Sequence, residues 1–321
     1  MAPTDPADLT HVGAELDQLP PWWQAVRRME AGEISLGAEP PALSPAEPTH
    51  VVLPLVPALL ENNLSRKGVW ALNADRENES MEFTYETKDL VGSLSLTFTL
   101  GQLATFEMEL VAWILGRWSP DQPKITFALR ECARSFGTSW GGSRAGCIKD
   151  ALRRIAGTRM KGRVWNISTR KHTETHFGIL DTVEIVDQRD LFESSPSDPG
   201  TVSVTLSSFL IEQLVGGQFV RIDWSVFRGK LKTPLARRLY LLVESQQGWA
   251  GGRTYTVGID QRLGATLGTR DAERNPSRLR SNLMKAGEEI VAAEQRYESF
   301  EVRRGKKRGD WVLEVKRRAT T

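Results

Sequence analysis

Two sets of basic side chains are spaced so that each could act together on a polyanion. On a helix over 143–156, Ser143, Gly146, Lys149, Asp150 and Arg153 fall on one face, with Arg154 at its edge. Lys161 and Arg163 follow beyond it, and Arg170 and Lys171 sit in a polar tip. The second set begins at residue 277. Ser277, Arg280, Ser281 and Met284 share an outward helical face, Arg278 and Lys285 flank it, and Arg303, Arg304, Lys306, Lys307 and Arg308 crowd a turn. A helix that opens with small residues and continues with Lys and Arg suits a major groove, where those side chains reach guanine edges or phosphates. A basic tip grips phosphates or enters a minor groove. The competing reading is a solvated basic face and a charged turn with no partner.

Signatures of catalysis are missing. No G-x-x-x-x-G-K-[ST] loop exists, since Gly229-Lys230 is followed by Leu231 and Gly305-Lys306 by Lys307. His172 and His176 are four apart on a tip, without the carboxylate of H-E-x-x-H, so no zinc site is expected. DNA nicking would need a paired-histidine motif and a nucleophilic tyrosine, and the histidine pair is absent. Cys132 and Cys147 are expected in the core rather than as nucleophiles. The chain is therefore expected to have no catalytic residue, no metal and no cofactor.

The elements that would carry these side chains can be read from hydrophobic spacing. Met81–Glu86 and Ser93–Leu100 alternate as strands. A helix is expected over 102–118, with Leu103, Phe106, Leu110, Trp113, Ile114 and Trp118 on one face. Then come a strand at 125–127, a helix at 128–136 ended by Gly137, a turn, the helix 143–156, a strand at 163–168, the tip 169–174 and a strand at 177–186. Helix, strand, helix, turn, helix and hairpin in that order spell a winged helix.

A shift of 131 residues lays this helix–turn–helix on another. Ala128 falls on Ile259, Cys132 on Leu263, Phe136 on Leu267, Gly137 on Gly268, Ile148 on Leu279, Lys149 on Arg280 and Leu152 on Leu283. An amphipathic helix at 234–247 precedes the second copy. A hairpin at 296–303 and 310–316 follows it. The expected fold is α+β, with two tandem winged-helix domains (67–200 and 201–321) behind a Pro-rich, mostly disordered acidic tail (1–66). Within the tail, residues 21–32 are expected as a short helix whose Trp22 and Trp23 dock on the body.

Charge follows the same division. The 321 residues carry a net +2, yet residues 1–65 hold nine acidic and two basic side chains. Residues 125–176 hold eleven basic and three acidic, and residues 297–321 eight and four. Two basic islands suggest one polyanion met twice. No apolar run is long enough for a membrane span, and two cysteines are too few for a disulfide framework, so a reducing cytoplasm, bacterial or other, is the expected compartment.

The run 201–247, which contains Thr-Pro-Leu-Ala-Arg-Arg-Leu-Tyr at 233–240, resembles bacterial plasmid replication initiators of the TrfA and RepA type. So does the strand–helix entry Ile125–Glu131. The likeness spans about residue 64 to the C-terminus. It implies binding to directly repeated origin sequences in double-stranded DNA, opening of an adjacent A·T-rich region, and recruitment of host replication initiator and helicase proteins. It also implies a possible homodimer through the first domain. The alternative within DNA binding is a tandem winged-helix transcriptional regulator or autorepressor without initiator activity. A chromosome-structure module fits the basic islands less well, and a nuclease would need a metal-binding carboxylate cluster, which does not stand out between the repeats.

Overall fold

The computed structural model describes residues 58–61, 64–65, 69–72, 80–87, 90–120, 122, 124–137, 141–186, 200–246, 254–306 and 309–318. Side-chain caps set most of its helix starts. α1 (Thr105–Leu115) begins where Glu107 Oε2 accepts the Ala104 amide at 2.9 Å. α2 (Leu129–Ser135) and α3 (Gly142–Ala156) form the first helix pair, and α4 (Ser208–Val215) is capped by Ser207. A single π-helical turn, Ser225–Lys230, starts on Asp223, whose Oδ1 accepts the amides of Ser225 and Val226. α5 (Pro234–Glu244) has Thr233 as its cap and Pro234 in its first turn, where the missing N–H loses no bond. α6 (Gln261–Leu267) is capped by Asp260, and a short α7 (Asp271–Arg274) follows. α8 (Pro276–Ala293) opens on Asn275, whose Oδ1 accepts the Arg278 amide at 3.0 Å.

Among the described residues, the strands form four antiparallel sheets. β2 (Ser80–Thr87), β3 (Leu90–Phe98), β5 (Thr158–Asn166) and β6 (Lys171–Gly178) lie side by side in that order. β8 (Thr201–Leu206) runs between β4 (Lys124–Ala128) and β7 (Leu180–Val186). β12 (Trp311–Arg317) runs between β10 (Thr254–Gly258) and β11 (Tyr297–Arg304). β1 (Ala58–Glu61) pairs with β9 (Phe219–Ile222).

Three arrangements differ from the sequence expectation. The strand expected at 177–186 is two strands in different sheets, β6 and β7, parted at Ile179. Phe177, Gly178, Ile179 and Leu180 are buried in succession, so the chain crosses the interior there instead of alternating. β8 pairs with β4 and β7 across the expected boundary at 200/201. β1, inside the segment expected as tail, pairs with β9. The expected helix at 21–32 and the Trp22–Trp23 docking lie outside the described residues, as do residues 187–199.

All the elements belong to one compact unit, and one hydrophobic core holds them. An aromatic series runs through it. Phe127 meets Trp113 at 4.9 Å and Phe136 meets Trp224 at 5.4 Å, with Trp113 and Phe136 6.5 Å apart. Trp224 then leads through Phe227 and Tyr240 to Tyr297 and Phe300. Rings from both copies of the repeat thus share one interior, where edge-to-face pairs add about 0.5–1.5 kcal/mol each beyond burial.

Candidate nucleic-acid interface

The 131-residue offset holds in three dimensions through both helix pairs. Cys132 and Leu263, Phe136 and Leu267, Ile148 and Leu279, Leu152 and Leu283 are all buried. Gly137 and Gly268 both take left-handed backbone, at φ +64° and +76°. α7 falls without insertion on residues 140–143 of the first copy, and α8 has 18 residues against 15 in α3 and runs on to Ala293, so the offset is lost only after the helices, before the hairpins.

On α3, Ser143 and Arg153 are exposed and Lys149 is half-buried. Arg153 donates to Asp150 at 2.9 Å, one turn back. Arg154 lies elsewhere. It is turned against α1, donating from Nε to Glu107 Oε1 at 2.8 Å, and its side chain is 18% exposed. Glu107 is fully buried, so Arg154 neutralises an interior carboxylate rather than extending the basic face. On the hairpin β5–β6, Lys161, Arg163, Arg170 and Lys171 are all exposed. Lys161 reaches Glu174 at 3.5 Å, and Arg170 turns the tip at φ +50°. Cys147 is exposed, contrary to the expectation of burial. Cys132 is buried, and burial pushes its thiol up to about 12, which keeps it protonated.

On α8, Ser277, Arg278, Ser281 and Lys285 are exposed and Arg280 is half-buried. Arg280 donates to Ser277 Oγ at 2.9 Å and stacks on Trp311, 4.4 Å from the ring centroid. Arg304 approaches the same ring at 5.7 Å. Trp311 thus joins the helix to its hairpin, a role that spacing alone did not reveal. Its place opposite Arg304 in the hairpin register was the available signal. Arg278 leans the other way, 3.9 Å from Asp271 of α7. Arg303 pairs with buried Glu314, leaving Arg304 and Lys306 as the freer cations among the described residues of that hairpin. Lys307 and Arg308 lie outside the described residues.

A cleft of about 800 Å³ opens beside α8, lined by Arg270, Arg274, Arg278 and Lys285 together with Asp271 and Glu289. Among the described residues no group of three or more His, Cys, Asp or Glu could hold a metal, and no helix is long and apolar enough to cross a membrane.

The run 233–240 does a different job. Thr233 caps α5, and Glu289 of α8 accepts from the Thr233 amide at 3.0 Å and from its hydroxyl at 2.8 Å. Arg237 donates to Glu109 of α1 at 2.5 Å, and Arg228 stands 3.5 Å from the same carboxylate. Burial pushes the Glu109 carboxyl up, against the pull of Arg237 and Arg228. Arg238 is 1% exposed and donates to Met108 Sδ at 3.2 Å and to the Thr266 carbonyl. Burial holds it down to about 9, and its Nε has no partner. Tyr240 closes the run by accepting from Arg296 at 3.1 Å. These residues clamp α5 between α1, α6 and α8, and so join the two copies of the repeat.

This α+β architecture is similar to that of domains 2 and 3 of RctB. The crystal structure of selenomethionine derivatives of domains 2 and 3 of RctB superposes with a TM-score of 0.54 at 14% identity, covering 80% of this chain and 98% of that one. A second crystal structure of RctB domains 2-3 gives 0.48 at 13% identity, covering 79% and 96%. No curated protein matches the sequence. The profile of the Replication initiator protein A family matches residues 62–288, and the chain belongs to that family.

Proposed function

We propose that this chain is a sequence-specific, double-stranded-DNA-binding replication initiator of a bacterial plasmid or secondary replicon. Its two halves act as winged-helix units, the first from α1 to β6 and the second from α5 to β12. The observation that carries the reading is the recurrence of one arrangement, with its paired helices 131 residues apart. In each copy a helix with an outward face of small and basic residues, α3 or α8, precedes a basic hairpin. In this reading the two helices enter successive major grooves of a directly repeated origin sequence, and the hairpins grip the backbone. The shared core and the Arg237–Glu109 pair fix the spacing between the helices, which makes the length of the repeat a property of the fold. The chain acts by binding, without catalytic chemistry or cofactor. It hands the opened origin to host initiator and helicase proteins, and its first half supplies a homodimer contact. Family membership favours this over a regulator that only represses.

The test is replication itself. A plasmid carrying the gene and its flanking repeats should be maintained without another initiator. The footprint on one repeat should cover about two turns, roughly 21 base pairs. Protection of a single turn by the full-length chain would refute docking by both halves. Binding without maintenance would leave only the regulator.

A further inference from the structure

The outward stripe of α8 runs Ser277, Ser281, Met284, Glu288, each about one turn from the last. All four are exposed. Its cations are displaced to the flanks, with Arg280 drawn towards the hairpin by Trp311 and Arg278 towards Asp271 of α7. The middle of the stripe is left to one apolar side chain, Met284, which is 47% exposed. It adds nothing to the core, which the opposite face fills with Leu279, Leu283, Ala286 and Ile290. Nor does it repeat the first copy, where the position 131 residues earlier is Arg153, tied to Asp150.

We propose that Met284 is a specificity-determining residue, packing on the C5-methyl group of a thymine in the major groove that α8 enters. This rests on the DNA-binding reading above and names what one position of the site must contain. Three features point there. The thymine methyl is the apolar group that base edges offer in the major groove, so an apolar side chain there distinguishes thymine from cytosine. An unbranched thioether is flexible and polarisable enough to settle on it. Ser281 and Ser277 leave room for the helix backbone to approach, and Trp311 keeps the Arg280 guanidinium beside the stripe instead of over it.

The experiment uses the full-length chain and a duplex that the chain itself selects from a randomised pool. Each thymine is replaced in turn by deoxyuridine, which removes the methyl group alone. At one thymine under α8 the wild type should bind about fourfold more weakly, the equivalent of about 0.8 kcal/mol for one buried methyl-sized group. Met284→Ala should bind thymine and deoxyuridine equally at that position while keeping the wild-type response elsewhere. Met284→Leu should retain most of the step. If Met284→Ala shows the wild-type response at every thymine, or the wild type responds at none, the inference is overturned while DNA binding stands. If no duplex is selected at all, the DNA-binding reading falls and this one with it.

Discussion

Alanine at Gly268 should damage the protein far more than alanine at Gly137, although the two glycines occupy the same place in the repeat. Both sit after the helix that precedes the turn, at φ +76° and +64°. An L side chain in left-handed backbone costs about 1–2 kcal/mol, and this applies to both. Around Gly137 a Cβ would meet nothing within 4 Å. At Gly268 it would lie 2.2 Å from the Trp70 carbonyl oxygen and 2.9 Å from Ala71 Cα and the Leu72 nitrogen, all of them backbone. Leu72 donates to the Gly268 carbonyl at 3.0 Å, and Ala71 to Leu103 at 3.0 Å. Trp70 is fully buried with its indole N–H on the Leu64 carbonyl, so this segment has no free direction to retreat. Overpacking adds about 1–3 kcal/mol and a broken hydrogen bond about 1. Gly137→Ala should therefore lower stability by about 1–2 kcal/mol and Gly268→Ala by about 3–6. Urea unfolding of the full-length chain, followed by circular dichroism, measures both. Asparagine, which tolerates left-handed backbone, separates the two causes. Gly137→Asn should be nearly neutral, whereas Gly268→Asn should be as harmful as alanine. Equal losses at the two glycines would refute the close approach of the 69–72 segment.

Arg154→Ala should destabilise by about 3–5 kcal/mol, because it leaves the buried Glu107 without its cation, and should leave the salt dependence of DNA binding unchanged. Replacing Arg170 and Lys171 with alanine should do the opposite, reducing the salt slope by about one for each phosphate no longer neutralised, with little change in urea midpoint. Arg280→Ala should cost about 1–3 kcal/mol on the selected duplex and much less on a scrambled one, and Trp311→Ala should reproduce part of that loss of discrimination in competition binding. Removing residues 1–53 should leave affinity unchanged or tighter, since the segment is acidic. Removing residues 1–66 should also lower the melting temperature, because it takes β1 from β9 and Leu60 and Leu64 from the core.

Local rules made much of this protein legible in its sequence. Helical spacing placed Ile148, Ala151, Leu152 and Ile155 on the inward face of α3, and Leu279, Leu283, Ala286 and Ile290 on that of α8, and all are buried. Asn275-Pro276 marked the start of α8, and the equivalent glycines 137 and 268 marked the turns. These features depend on side-chain period, capping and φ, which neighbouring residues settle among themselves. The repeat and the basic faces follow from the same arithmetic.

Only the tertiary structure decided which partner each side chain meets. Arg153 and Arg154 are adjacent and chemically identical, yet one faces outward and the other neutralises Glu107, which is 47 residues earlier in the chain. One step along a helix turns a side chain by about 100°, and which of the two receives a buried carboxylate depends on where α1 packs. The run 233–240 was recognisable as a motif, but its work as the clamp between the two copies depends on Glu109, Met108 and Thr266 arriving from other elements. β4 likewise takes β8 as its neighbour and β1 takes β9, since a strand's pattern states which face is apolar but not which edge it will meet. The sequence thus determined the local units and their charged faces. The long-range packing decided that the two copies share a single core, and which of the basic residues remain on the surface.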